Sequence, residues 1–167
     1  SFRLFLRIQF EQRDVTFQKR KFYFNQMTEF HLIKIAFATP EYDDTVGLRT
    51  EVLRIPLGMT FNAEDLAAEY DQDLFALYDS SDRLVGCLVF KEIDPYTTKM
   101  RQVAISPELQ NQGIGQILVK KAEEWCKFNG YKRIVLSARE SAVNFYLKMD
   151  YNLEGDLFEE VGIPHRH

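Results

Sequence analysis

Apolar residues recur along this chain with two periods, and the changes between them mark out its elements. Phe2, Leu4, Leu6, Ile8 and Phe10 alternate with polar residues, the two-residue period of a strand, here expected at the edge of a sheet. Residues 30–37 read as a second strand. Thr39-Pro40 followed by Glu41, Asp43 and Asp44 signals a helix start with acids near its positive end. Val46, Val52, Leu53 and Ile55 give that helix its apolar side, and Pro56-Leu57-Gly58 stops it. A shorter helix is expected over residues 62–70, capped by Asn62, with Glu64 and Asp65 in its first turn.

Three strands follow at residues 73–78, 83–93 and 97–105, separated by the turn compositions Ser80-Ser81-Asp82 and Asp94-Pro95, which predicts an antiparallel meander. The pattern then alternates: a helix over 113–128 ending at Asn129-Gly130, a strand over 133–137, a helix over 141–149, and strands over about 151–159 and at the C-terminus. A meander feeding such a unit makes an α/β (α+β) fold, a mixed sheet with helices on both faces. No internal repeat or low-complexity tract interrupts it.

Composition narrows the function. Two cysteines, Cys87 and Cys126, lie in apolar stretches without CxxC spacing or a histidine cluster, so neither a disulfide framework nor a metal site is expected, and a cytoplasmic location is. No apolar run approaches the ~20 residues of a membrane helix. The net charge of -4 argues against nucleic acid as partner. Residues 1–26 differ from the rest: they hold six phenylalanines and six of the chain's 21 basic residues but only two of its 25 acids, which leaves an acidic body. They are read as an N-terminal extension without assigned function, preceding a single domain over 27–167.

The most informative stretch runs from Val103 to Gly115, where a strand enters a turn with two glycines and opens an amphipathic helix carrying Ile114, Ile117, Leu118, Ala122, Trp125 and Cys126 on one side. The first backbone N–H groups of a helix lack internal partners and sit at its positive end, so they can hold an anion without a lysine. Glycines at 113 and 115 clear side chains from such a site; read alone, they also fit a purely structural turn. A Walker loop requires Gly-Lys followed by Ser or Thr, whereas Gly115 precedes Gln116-Ile117, and the three glycines of a dinucleotide fingerprint are missing. Lys120, Lys121, Glu123 and Glu124 read as the solvated side of the helix.

Gln110-x-x-Gly113-x-Gly115, preceded by Val103-Ala104-Ile105-Ser106-Pro107, resembles the acetyl-CoA pyrophosphate motif of the GNAT superfamily of N-acetyltransferases. Ala142-Val143-Asn144-Phe145-Tyr146-Leu147-Lys148-Met149-Asp150-Tyr151 is similar to that family's C-terminal helix, and the order of elements from Phe30 to His167 matches. Residues 48–58 and Gly162-Ile163-Pro164-His165 resemble a bacterial subgroup whose acceptor is generally unassigned. The resemblance implies a mostly antiparallel sheet splayed between two parallel strands, with the pantetheine arm of acetyl-CoA in the split. Backbone groups of Val103, Ala104 and Ile105 would hold that arm, and Gln110, Asn111, Gln112, Gly113, Ile114 and Gly115 the pyrophosphate. The pattern departs at Arg139, where asparagine is common, and at Asp150, where glycine is usual; Arg139 either meets a cofactor phosphate or lies on the surface.

Acetyl transfer to an amine requires a deprotonated amine, donors for the carbonyl oxygen and a proton for the leaving thiolate. The resemblance assigns the last role to Tyr146, whose alternative is that of a core aromatic; the N–H near Ile105 would meet the carbonyl oxygen. Glu92, Glu51 and His165 are candidate bases, with a structural role or a chain of waters as the alternatives. The expected reaction is acetyl transfer from acetyl-CoA to a primary amine of a small molecule by direct attack. A non-catalytic acyl-CoA-binding module is the other reading, and pairing of edge strands into a homodimer is a further expectation.

Overall fold

In the computed structural model, which describes residues 2–10, 29–154 and 158–159, Thr39 opens the first long helix. Its hydroxyl accepts the Tyr42 N–H at 3.2 Å and donates to the Ala36 carbonyl at 2.6 Å, and Pro40 takes the first helical position. This helix, α1 (Pro40–Arg49), widens into a π turn at Thr50–Arg54 and tightens to a 3-10 turn at Ile55–Leu57, where Gly58 closes it at φ 68°. Asn62 then caps α2 (Ala63–Ala67) by accepting the Asp65 N–H at 2.7 Å.

The strands are β1 (Phe2–Gln9), β2 (His31–Ile35), β3 (Asp73–Tyr78), β4 (Leu84–Asp94), β5 (Thr97–Ile105), β6 (Arg133–Arg139), β7 (Asn152–Leu153) and β8 (Phe158–Glu159). Helix α3 (Ile114–Phe128) joins β5 to β6, and α4 (Glu140–Lys148) follows β6. The sheet order is β2-β3-β4-β5-β6-β1-β7, with β8 also on β1, and among these neighbours β5–β6 is the parallel pair. Alternation in the strands sends Phe75, Leu88, Phe90 and Met100 toward Leu118, Val119, Ala122 and Cys126 of α3. Leu74 and Val89 point the other way, onto Tyr42 of α1. The two-sided mixed sheet expected from the pattern is therefore the fold observed.

Two expectations are corrected. Residues 2–9 are not an edge strand: β1 pairs with β6 from Arg3–Arg139 to Gln9–Arg133 and, on its other side, with β7 and β8. The alternation correctly put Leu4, Leu6 and Ile8 on the core side, with Leu6 fully buried. Period two reports which face is buried, however, and carries no information about how many backbone edges are paired. Glu123 is not on a solvated side: it is 3% exposed and accepts the buried Tyr151 hydroxyl at 2.9 Å, because α3 is covered by the chain that follows α4 as well as by the sheet. Burial raises its carboxyl above the usual range, opposed by Lys120 and the Tyr151 hydrogen bond.

What positions the site is the end of β5. The parallel pairing of β5 with β6 covers Thr97–Arg133, Thr98–Ile134 and Lys99–Val135 and then stops. Just beyond, Val89 of β4 faces Arg101 and Cys87 faces Ala104, so Leu88 spans both Gln102 and Val103, with Gln102 at φ 56°. This is a β-bulge, which adds twist and turns the strand away from its neighbour. The sheet opens there.

Candidate active site

At the open end of the split the chain turns through a 3-10 segment, Pro107–Leu109, and reaches α3 by way of Asn111 at φ 63° and Gly113 at φ 81°. Gly113 is the N-cap and offers no side chain, and the first intrahelical bond runs from the Ile117 N–H to the Gly113 carbonyl at 3.2 Å. The N–H groups of Ile114, Gly115 and Gln116 thus have no intrahelical acceptor. Two amide side chains brace the turn from within: Gln110 Nε2 donates to the Ile105 carbonyl and Gln112 Nε2 to the Glu108 carbonyl, each at 3.2 Å. Their reach is used on the loop itself, which leaves the backbone to face outward.

A cavity of about 620 Å³ lies between this turn, the end of β5 and α4. Of the residues expected there, Val103, Ile105, Gln110, Asn111, Gly113, Gly115 and Tyr146 line it. Ala104 is instead buried against Leu48 and Cys87 on the α1 side, and Ile114 is buried in the main core. Gln112 and Arg139 are not part of the lining; Arg139 caps α4 without a side-chain hydrogen bond and stands opposite Arg3. Sequence reasoning missed Val52, Leu109, Gln116, Ala142 and Phe145 in the lining. Ala142 and Phe145 share a helical stripe with Tyr146, a spacing that could have revealed them. Val52 enters through the π turn, which no residue pattern announces.

The two described candidate bases, Glu92 and Glu51, are not part of the cavity lining. Glu92 stands on β4 opposite Thr98, six residues from Gly86, which faces Ile105; that is about 20 Å along a strand. It is exposed and accepts the Tyr131 hydroxyl at 2.8 Å. Glu51 is exposed in the π turn, outside the lining although adjacent to Val52. His165 lies outside the described residues, as do residues 162–164 and the boundary expected at Met27.

Tyr146 is therefore the one titratable side chain in the described lining. It is 7% exposed, with its ring edge-on to Phe145 at 4.9 Å and to Tyr151 at 5.5 Å. Its hydroxyl makes no hydrogen bond to a described residue, and burial pushes it up to about 12, with the charge of Arg3 acting in the opposite direction.

A model of the Acetyltransferase (GNAT) family matches residues 42–151, which run from α1 to the end of α4 and just beyond. The chain belongs to the GNAT family of acetyltransferases. This GNAT protein is 29% identical over 126 residues to the uncharacterized protein YyaT of Bacillus subtilis, a match covering 69% of the chain and 83% of YyaT. Among solved structures it is similar to a GNAT acetyltransferase from Elizabethkingia anophelis with acetyl-CoA bound (23% identity, 74% of each chain, TM-score 0.58). It is also similar to an N-acetyltransferase described as putative from Lactobacillus plantarum (20% identity, 83% of this chain and 95% of the other, TM-score 0.68). Acetyl-CoA is the acetyl donor of the family. The GNAT site here fits that donor on its own geometry: a side-chain-free helix N-terminus faces the cavity, and a Cβ on Gly115 would sit in it, 3.4 Å from the Phe145 ring. Among the described residues no helix is long and apolar enough to cross a membrane.

Proposed function

We propose that the protein transfers the acetyl group of acetyl-CoA directly to the primary amine of a small molecule, with Tyr146 as the donor to the departing thiolate. The observation that carries this reading is the placement of Tyr146: a protonated phenol without a hydrogen-bond partner among the described residues, in a cavity that ends at a helix N-terminus whose geometry suits diphosphate. Bound there, acetyl-CoA supplies an activated acyl group. Among the described residues the pairing of β5 with β6 ends at Lys99–Val135, so Val103 and Ile105, further along β5, are placed to hold amides of the pantetheine arm as an added strand would, and an N–H near Ile105 to meet the carbonyl oxygen. With Glu92 tied to Tyr131 and Glu51 exposed, the amine proton leaves through water. The two free thiols, both buried, agree with a reducing compartment, and the cytoplasm is the proposed location.

The test is thiol release from acetyl-CoA in the presence of a panel of amines. Absence of release with every amine, together with retained acetyl-CoA binding, supports the second reading, a module that binds acyl-CoA without turnover. One observation favours that alternative: the described lining contains no carboxylate or imidazole.

Gly115→Val is expected to weaken acetyl-CoA binding about tenfold or more, since a branched side chain fills the cradle at a cost of roughly 1–3 kcal/mol. Calorimetric titration checks this, and circular dichroism should show a folded protein. The pH profile gives a separate expectation. Because burial raises the Tyr146 phenol to about 12, it stays protonated at neutral and mildly alkaline pH. Activity should rise as the acceptor amine loses its proton and show no falling limb below about pH 10, the ordinary phenol value. A fall between pH 8 and 9, both taken as approximate bounds, with intact fold would remove Tyr146 from the donor role.

A further inference from the structure

Near the cavity, Gly115 of α3 lies against the ring of Phe145 on α4. A second link ties α3 to the far end of α4, and it runs through a buried carboxylate. Glu123 stands about 15 Å along α3 from the N-cap Gly113. Its Oε2 accepts the Tyr151 hydroxyl at 2.9 Å, and its Oε1 lies 3.4 Å from Lys120 Nζ. Both Glu123 and Tyr151 are buried.

The chain closes α4 in the same place. Beyond the cap Met149 it passes through Asp150 at φ 69°, where the Asp150 N–H bonds the Leu147 carbonyl at 3.1 Å and the Tyr151 N–H bonds the Tyr146 carbonyl at 3.0 Å. This pair of bonds is a Schellman ending, in which the second residue past the cap returns to the last full turn. Here the carbonyl it returns to belongs to Tyr146, and the Tyr151 ring also stands edge-on to the Tyr146 ring at 5.5 Å. One residue thus holds Tyr146 by backbone and by ring, and is itself tied to α3 by its hydroxyl.

Stability alone does not call for a carboxylate there. Burial works against its charge, and a buried hydrogen-bonded pair exchanged for apolar groups of the same shape is often close to neutral. What an oxygen acceptor adds is direction: the Tyr151 hydroxyl is satisfied at one place on α3, whereas an apolar contact would tolerate sliding. Helix α3 is also the one whose N-terminus faces the cavity. The bond therefore sets the distance from the diphosphate end of the cavity to Tyr146.

We propose that Glu123 and Tyr151 are positioning residues for Tyr146, holding its hydroxyl at the thioester of a cofactor gripped by the start of α3. This rests on the donor role given to Tyr146 above. Neither residue lines the cavity, so both act through Tyr146.

The test uses the full chain, acetyl-CoA and the best acceptor of the amine panel, with thiol release as readout. Tyr151→Phe removes only a hydroxyl and should lower kcat about tenfold or more, since small displacements of a reacting group are costly, while the acetyl-CoA Kd from calorimetry stays within about twofold. In a Tyr146→Phe background the same substitution should change kcat by less than about twofold, because the group it aims is gone. Glu123→Gln keeps an oxygen for the hydroxyl and should retain most of kcat, whereas Glu123→Leu should behave as Tyr151→Phe does. A second readout needs no turnover. In cofactor-free protein carrying ring-labelled tyrosine, the Tyr146 resonance, assigned by its loss in Tyr146→Phe, should shift or broaden in Tyr151→Phe and keep its place in Glu123→Gln. Unchanged kcat in Tyr151→Phe, an unmoved Tyr146 resonance, or an equal fall in both backgrounds overturns the proposal while leaving Tyr146 as donor. If Tyr146→Phe keeps native kcat, or no amine releases thiol, the reading beneath fails and takes the proposal with it.

Discussion

Tyr146→Phe should lower kcat by about 10²–10⁴-fold, the range typical of a positioned proton donor, with acetyl-CoA affinity unchanged within about twofold. The substitution removes an oxygen that bonds to no described residue and keeps the ring that packs edge-on against Phe145 and Tyr151. Melting temperature should therefore hardly move, and calorimetry should return a near-native Kd. At first sight a phenol of about 12 is a poor acid for a coenzyme thiolate, whose ordinary value is ~8.5. The mismatch shrinks on burial, because a thiolate is destabilised by the same loss of solvent: within this protein burial pushes the Cys87 thiol up to about 12. A donor and an acceptor shifted together exchange a proton, or share it, with little driving force against them. Unchanged kcat in the Phe variant would mean that the thiolate leaves without help from α4.

How much of this was readable in the residues depends on what each signal reports. The helix starts at Thr39-Pro40 and Asn62 were legible because capping is local chemistry, with the acceptor and the N–H it takes three residues apart. The meander and the Gly113 turn were legible for a similar reason: turn composition and a positive φ requirement sit in a few consecutive residues. The interior place of β1 was not, since its partners are 124 or more residues away and alternation is blind to edges. Nor was the place of Glu92 or Glu51, because an acid near a strand end or on a helix carries no mark of which way that end faces the split.

The largest stability effect is expected on the α1 side of the sheet, away from Tyr146, at Glu69. Arg49 donates to it from both terminal nitrogens, at 2.8 and 2.7 Å, and Tyr42 adds its hydroxyl at 2.8 Å, with Arg49 and Glu69 only 1% and 2% exposed. Burial raises the Glu69 carboxyl, but the hydrogen bonds and charge of Arg49, then Tyr42 and Arg101, outweigh it and hold it below the usual carboxylate range. The group is thus ionised in the fold, and its contribution is present above the unfolded pKa and is lost as pH falls through the lower folded value. Glu69→Ala leaves Arg49 charged and buried without its partner, a loss of about 3–5 kcal/mol. For a domain of 167 residues that is a fall in Tm of roughly 10 °C. Joint replacement, Arg49→Met with Glu69→Leu, should recover most of the loss, because a buried pair exchanged for apolar groups of similar size is close to neutral. The part not recovered is the Tyr42 hydroxyl, left without an acceptor at about 1–3 kcal/mol. Thermal melts of the single and double variants decide this: a double variant as unstable as Glu69→Ala would show that the ion pair contributes by its attraction, and not merely by neutralising a charge that the fold has already enclosed.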